Sequence, residues 1–560
     1  MSKKRLITIY LVPIIIVLAA LACSSDNEAT QVPVDDAPFE GMSASAANCD
    51  YEGEIKSIEA LDELTVKFTL CFPDPAFVQK VTSPAIGILP TGYLEETEGA
   101  DEIITKPVGT GPYKFERWDP GNEIVFKRHD DYWGDKAKEE TLVFRWNSEA
   151  SQRLNELRAG SIDGMDNVSP ADFGTVESES DLALYVRPSI NVAYVGMSAA
   201  FKPFDDPKVR RAVAFAIDRQ RLVDNFYPPG SIIATQFLPP SLFGYTPNLE
   251  FFRYDRVQAE KLLDNAGVLR GDDGIRFTTT MSYRDVVRSY LPQPGIVAQD
   301  IQAQLKEVGI DVKLQVMESG AYLDAVFAGD QLPMHLLGGF VDYPDGSNLL
   351  SFLFSGTSLP VFGAKFKEIS DAVDETNRRA DPDDRLRFFR EANIAIRDLA
   401  PVVPFAHGGS AAAYKASIEG AHVSPMAVFD QFAVMEDPDD DNIIWMQNAE
   451  PVGLYCALNT DGESLRACSQ VHEGLLAFSV GGTEVVPALA HAFTVNEDST
   501  EWTFELRPGV RFHDGSLLDA NDVVLSYLVQ WDVEHPFHPG PGRVPTFSAF
   551  FGRLLNAPAP

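Results

Sequence analysis

Residues 277–317 contain Phe277-Thr-Thr-Thr-Met-Ser-Tyr283, then Ile296-Val-Ala-Gln-Asp-Ile-Gln-Ala-Gln-Leu-Lys-Glu-Val308, then Ile310-Asp-Val-Lys-Leu-Gln-Val-Met317. The first and last runs are rich in β-branched and aromatic residues and read as strands. The middle run places Val297, Ile301, Leu305 and Val308 on one side and reads as a helix. Strand, helix and strand in that order predict a parallel pair with a right-handed crossover, and so an α/β sheet. Downstream, the apolar run Leu336-Leu-Gly-Gly-Phe-Val341 delivers Asp342 at its end, where an open α/β sheet offers a ligand its crevice. Upstream, Val209, Val213, Ala216, Ile217, Val223 and Phe226 mark a helix with one buried face across 209–226.

With 560 residues the chain is too long for one core and implies two or three lobes. Its 82 acidic against 46 basic residues give a net charge of −36, which repels nucleic-acid phosphates and anionic membranes, so no nucleic-acid partner is expected.

Lys3, Lys4 and Arg5 precede an apolar run from Leu6 to Ala22 that ends in Ala-Leu-Ala before Cys23 and a polar Ser-Ser-Asp-Asn-Glu. A basic region, an apolar region and small residues before a cleavage point form a secretory signal. Cys23 just after that point resembles a bacterial lipobox cysteine, which predicts lipidation and a membrane anchor. An uncleaved single-span anchor is the alternative. Residues 24–47, rich in Asp, Ala, Ser and Pro, read as a tether.

Four further cysteines, Cys49, Cys71, Cys456 and Cys468, suggest disulfides in an exported protein. Three pairings are possible. Local pairing, Cys49–Cys71 around a hairpin (strands near 55–58 and 65–70) and Cys456–Cys468 around a polar loop, is the simplest. No Cys-x-x-Cys or nearby His pair accompanies them, so metal binding by these cysteines is the poorer reading; no cofactor is expected.

No catalytic centre assembles. Gly109-Thr-Gly-Pro-Tyr113 lacks phosphate-loop spacing and reads as a turn. Gly408-Gly-Ser-Ala-Ala412 lacks nucleophile-elbow spacing. His535 and His538 flank prolines in what reads as an exposed tail, without a third ligand.

Several phrases go further: Pro107-Val-Gly-Thr-Gly-Pro-Tyr-Lys-Phe115, Asp130-Asp-Tyr-Trp-Gly134, Phe204-Asp-Asp-Pro-Lys-Val-Arg-Arg-Ala-Val-Ala-Phe-Ala-Ile-Asp-Arg219, Tyr254-Asp-Arg-Val-Gln-Ala-Glu-Lys-Leu-Leu263 and Gly338-Gly-Phe-Val-Asp-Tyr-Pro-Asp345. Near the end of the chain come Asn442-Ile-Ile-Trp-Met-Gln-Asn-Ala-Glu-Pro451, Trp502-Thr-Phe-Glu-Leu-Arg-Pro-Gly-Val-Arg-Phe-His-Asp-Gly-Ser516 and Asp519-Ala-Asn-Asp-Val-Val-Leu-Ser-Tyr527. Together they resemble the extracellular solute-binding proteins of the peptide/nickel class (family 5), which feed ABC importers. The block that resembles the family's opening section stands at the end here, and each block occurs once, which suggests circular permutation.

The resemblance implies a two-lobed, hinged, type II periplasmic-binding-protein-like α/β fold in a circularly permuted order. The expected divisions are a signal over 1–23, a tether over 24–47, lobe I over 48–235, lobe II over 236–415, a return to lobe I over 416–434, a charged linker over 435–442 that cannot pack, and the rest of lobe I over 443–560. It also implies a monomeric binder, not an enzyme, that captures di- or oligopeptides and passes them to a membrane permease. Nickel chelates, haem or oligosaccharides are alternative ligands on that fold, and a secreted hydrolase is the reading from a different class.

Residue by residue, Asp342 matches the carboxylate that pairs with a peptide's α-ammonium in relatives. Phe340 stands where they carry Trp, and Tyr343 follows in the same phrase. A turn-capping role for Asp342 is the alternative. Arg288 and Tyr290 resemble an Arg-Pro-Tyr phrase whose Arg holds the ligand's carboxylate, a pairing suited to a guanidinium fork; Arg284 is a second candidate. Glu450 resembles a position from which main chain is offered to an extended peptide.

Overall fold

The computed structural model describes residues 39–558 apart from 100, 189, 357, 427, 460 and 541–543. The described residues from 41 onward form one unit. The expected signal, Cys23 and the tether as far as residue 38 lie outside the described residues. The tether's end does not: Ser43–Ser45 is an edge strand paired with Ile55–Asp62.

Three large sheets carry the fold. A seven-stranded sheet runs in the order Tyr113–Asp119, Glu123–Arg128, Thr141–Trp146, Asn442–Gln447, Gly164–Met165, Ser410–Lys415 and Leu182–Arg187. A six-stranded sheet runs Ile232–Ile233, Val402–His407, Asn191–Met197, Met334–Phe340, Phe277–Tyr283 and Ile310–Val316. An antiparallel five-stranded sheet runs Ser43–Ser45, Ile55–Asp62, Thr65–Leu70, Glu501–Leu506 and Ala490–Val495.

The chain passes between the first two sheets twice. Leu182–Arg187 is followed by Asn191–Met197, and Val402–His407 leads through 408–409 into Ser410–Lys415. The second lobe's sheet thus begins at Asn191 and ends at His407, not at 236 and 415 as expected, because the apolar strands on either side of a crossover look alike in sequence. The opening 277–317 motif is as expected: Phe277–Tyr283 and Ile310–Val316 pair in parallel, joined by the helix Pro294–Glu307. The single helix expected over 209–226 is two, Pro207–Ala216 and Arg219–Phe226, because Asp218 accepts from the Arg221 N–H and starts a new helix.

The late block is interleaved with the early ones. Asn442–Gln447 lies parallel between Thr141–Trp146 and Gly164–Met165, in the same sheet as Tyr113–Asp119. Glu501–Leu506 pairs with Thr65–Leu70, Gly53 bridges Gly552, and Tyr51 packs on Trp531 at 6.2 Å. The expected exposed tail folds back instead: the helix Pro545–Phe551 buries Phe547, Phe550 and Phe551. The expected linker also packs. Met435 and Asp437 are buried, Glu436 pairs with Glu419, and the Asp437 N–H bonds Glu139. Its aspartates find local donors, which a reading of charge alone misses.

Both local disulfides form, with Cα–Cα distances of 5.5 Å for Cys49–Cys71 and 5.7 Å for Cys456–Cys468. Gly109 and Gly111 let the chain pass close against 470–471, since a Cβ on either would lie within 2.5 Å of the Val471 or Gln470 carbonyl. His513 bonds both glycines' main chain and burial pushes its pKa down to about 3, so it is a structural residue.

Candidate functional site

Strand directions place the site. In the six-stranded sheet Phe277–Tyr283, Ile310–Val316 and Met334–Phe340 are parallel, so Arg284, Met317 and Val341-Asp342 follow their carboxyl ends on one edge. Asn191 and His407, the lobe's entry and exit, stand on that same edge, because Asn191–Met197 runs antiparallel to both neighbours. In the seven-stranded sheet Thr141–Trp146, Asn442–Gln447 and Gly164–Met165 are parallel, and Leu182–Arg187 shares their direction through its antiparallel partner Ser410–Lys415. The chain leaves that sheet at Arg187, on its carboxyl edge. Each lobe therefore turns the carboxyl edge of its parallel strands toward the crossover, the topological place for a ligand.

On the second lobe, Met334–Phe340 extends past the end of its neighbour Phe277–Tyr283. The loop 284–292 fills the space beside it. Gly338 permits this, since a Cβ there would lie 2.3 Å from the Tyr290 ring. Tyr290 is buried against Phe340, centroids 5.0 Å apart, while Phe340 keeps an exposed face. Arg284 reaches the Tyr290 hydroxyl at 3.3 Å and Ser319 Oγ at 2.9 Å. Arg288 is half-buried and donates to its neighbour Val287's carbonyl at 3.0 Å.

Asp342 is open to solvent, yet so much protein surrounds it that desolvation raises its pKa above the ordinary aspartate value, with Asn348 opposing. The Asp342 N–H donates to Asn348 Oδ1 at 2.9 Å, and Asn348 Nδ2 donates back at 3.3 Å. The capping role goes to Asp345, which accepts from the Ser347 N–H, starts the helix Gly346–Phe354, and is clamped by Arg385 through two 2.9 Å bonds. Among the described residues neither Asp342, Arg284 nor Arg288 makes an ion pair.

Of the two remaining expected site residues, Tyr343 turns away from the edge, whereas Glu450 stands after Asn442–Gln447 on the first lobe's carboxyl edge with its side chain engaged. Tyr343 is buried against Phe550 with the Lys80 ammonium 5.9 Å from its ring, in the core under the five-stranded sheet. Glu450 spends its carboxylate on Trp118 Nε1 (3.0 Å) and the Gly121 N–H (3.1 Å), holding the hairpin between Tyr113–Asp119 and Glu123–Arg128.

The first lobe contributes residues that sequence reading missed. Asn147, Asn167 and Asn448 stand just past the ends of its three parallel strands. Asn167, in the left-handed region at φ 51°, donates to Asn448 Oδ1 at 2.8 Å, and Asn448 donates to Glu463. An asparagine after each of three strands was the available signal. Behind this rim lies a buried ring of alternating charges. Arg187 pairs with Asp166 (2.5 Å) and Asp430 (2.7 Å), and Arg466 pairs with the same two at 2.6 and 3.3 Å. Burial alone would raise the pKa of Asp166, but Arg187 and Arg466 outweigh it and hold it at about 2.

The sequence profile of the bacterial extracellular solute-binding proteins, family 5 (middle section), matches residues 30–359 and 484–544, well over half of the chain. The chain belongs to this family. Its relatives include di/tripeptide-binding protein 1 of Pseudomonas aeruginosa, 30% identical over 383 residues (67% of this chain and 70% of that protein). The dipeptide-binding protein of Escherichia coli is 27% identical over 66% of this chain and 70% of its own. Among solved structures, the periplasmic binding protein DppA of Helicobacter pylori in complex with peptide STSA is 30% identical, with TM-score 0.55 over 66% of this chain and 71% of that one. HbpA2 of Haemophilus parasuis is 25% identical, with TM-score 0.60 over 69% and 76%. Family 5 proteins bind substrates and are not enzymes, so this chain is a solute-binding protein with their two-lobed fold. Among the described residues no group of three or more His, Cys, Asp or Glu could hold a metal ion.

Proposed function

We propose that the protein captures di- or oligopeptides between its lobes and hands them to a membrane permease, as a lipid-anchored, monomeric component of an ABC importer. The observation that carries this reading is Asp342: a carboxylate accessible from the carboxyl edge, with no cationic partner among the described residues and already disfavoured by desolvation. A ligand ammonium would remove that penalty. Arg288, or Arg284 beside Tyr290, offers a guanidinium for the peptide's carboxylate, and the exposed face of Phe340 offers a wall for a side chain. Glu450 is best assigned to positioning the main chain after Asn442–Gln447, and Tyr343 to the core. Closing two lobes over a zwitterion buries both its charges, and an unpaired buried charge costs several kcal/mol, so both ends need partners. Native mass spectrometry of protein taken from its own host tests this: a retained peptide is the expected result, and a retained metal chelate, haem or sugar would replace the peptide reading. The relatives' ligands, di- and tripeptides among them, support the same choice.

We also propose that the chain is a circular permutant of its family. The reading is supported by the parallel insertion of Asn442–Gln447 between strands that precede it by some three hundred residues, and by the bridge from Gly53 to Gly552. A rearranged gene that starts at Pro438, links Pro558 to Phe39 and stops at Asp437 should give a protein of similar melting temperature. Failure of that variant to fold would count against the permutation.

A further inference from the structure

We propose that Asn191 is a positioning residue that clasps the two crossover segments together and ties them to the Arg288–Tyr290 loop, so that lobe movement and the arrangement of this loop are linked. This rests on the two-lobed fold and not on the identity of the ligand.

The ladder between Asn191–Met197 and Val402–His407 makes its last main-chain pairing at Ala193 opposite Ala406. Beyond it the two segments go on toward the other lobe, and a side chain takes over. Asn191 Nδ2 donates to the Gly408 carbonyl at 2.7 Å and Asn191 Oδ1 accepts from the Gly408 N–H at 2.8 Å. An asparagine amide offers the same donor and acceptor as a peptide unit, so it supplies one more rung of ladder. The Asn191 carbonyl also meets His407 Nδ1 at 2.6 Å, and both residues are buried.

Three contacts carry this clasp to the site. Asn191 stands opposite Phe340 in the neighbouring pair of strands. Its Nδ2 reaches Ser289 Oγ at 3.3 Å. Gly408 lies so close to the loop that a Cβ on it would fall 1.9 Å from the Ser289 carbonyl. One buried amide is thus shared by both crossovers and by the loop that holds Arg288 and Tyr290. Rotation between the lobes is then left to Pro188 and Ile190 on one crossover and to Gly409 on the other, whose N–H is held by Ser231 Oγ at 2.8 Å. Hinges are a few residues at element ends that absorb the change in backbone angles, and these fit that description.

The test uses the full chain in detergent without added ligand, carrying a donor and an acceptor dye at the exposed positions Glu140 and Asp272, one on each lobe. Asn191→Ala should broaden the interlobe distance distribution about twofold and raise amide exchange about tenfold at 407–409 and at 288–291 together. Ser289→Ala, which removes one long contact and leaves the fold intact, should raise exchange at 288–291 and broaden the distribution to a smaller degree. Faster exchange at 407–409 alone, with 288–291 and the interlobe distances as in the wild type, would overturn the proposal. Should Asn191→Ala fail to fold, Ser289→Ala decides: an unchanged interlobe distribution in that variant overturns it. Because no ligand is present, none of these outcomes depends on whether the ligand is a peptide.

Discussion

The first lobe's carboxyl edge and the second lobe's carboxyl edge handle charge in opposite ways. Behind the asparagine rim of the first, Asp166, Arg187, Asp430 and Arg466 are buried and each touches two opposite charges. On the second, Asp342, Arg284 and Arg288 lie apart and accessible, outside any ion pair among the described residues. Charges that satisfy one another hold a structure together and are unavailable to a ligand. A carboxylate held at a strand end with only an amide for company is open to a ligand, and the binding role proposed for Asp342 rests on this: a visiting cation would improve its electrostatics.

The largest expected effect comes from breaking the paired region. Arg187→Leu leaves two buried aspartates short of a cation and should cost about 3–5 kcal/mol in urea unfolding. A loss below about 1 kcal/mol would show that the ring contributes little. Opening the smaller disulfide by Cys468→Ser should cost about 3 kcal/mol, the chain-entropy value for so short a loop, read from the same unfolding curves.

Acid should dissolve the ring in a defined window. The folded pKa of Asp166, about 2, lies below the usual aspartate value, so its contribution is complete above the unfolded pKa near 4. That contribution, about 2 kcal/mol, should be lost as pH falls from about 4 toward 2, and Asp166→Asn should lack this limb of the stability profile. The smallest effect is expected for the accessible guanidinium groups. Arg288→Ala should weaken dipeptide binding by about 1 kcal/mol, less than the roughly 2–5 kcal/mol for truncating one side of a buried charge pair because Arg284 can take over part of the pairing, and longer peptides by less. An equal loss in Arg284→Ala, with Arg288→Ala silent, would move the carboxylate partner to Arg284.

How much of this was legible in the sequence follows from range. Local signals were readable: the strand–helix–strand unit at 277–317, the hairpin inside Cys49–Cys71, and both cysteine pairs depend on neighbours within about forty residues. The place of Asp342 was readable because an apolar run that ends in a carboxylate has a topological meaning, while its role there is a proposal. The charge ring was not, since Asp166 and Arg466 stand 300 residues apart and each reads as an ordinary surface charge. Tyr343 misled because the residue after a site aspartate can turn either way, and here it enters the core beside Lys80. The lobe boundary was missed at Asn191 for a related reason: the polar residue that marks it finds its partner, Gly408, 217 positions later.

Asp342 is proposed to hold a ligand's ammonium. Calorimetry with trialanine at several pH values, on wild type and Asp342→Ala, tests it most directly. Wild-type affinity should fall as pH drops through the raised pKa of Asp342, since protonation removes the charge that the ammonium needs. Asp342→Ala should bind about 2–5 kcal/mol more weakly, with a flat profile over that range. Its ligand-free melting temperature should be unchanged or slightly higher, because the lost carboxylate was itself desolvated. Equal affinity and the same pH profile in both proteins would contradict the account.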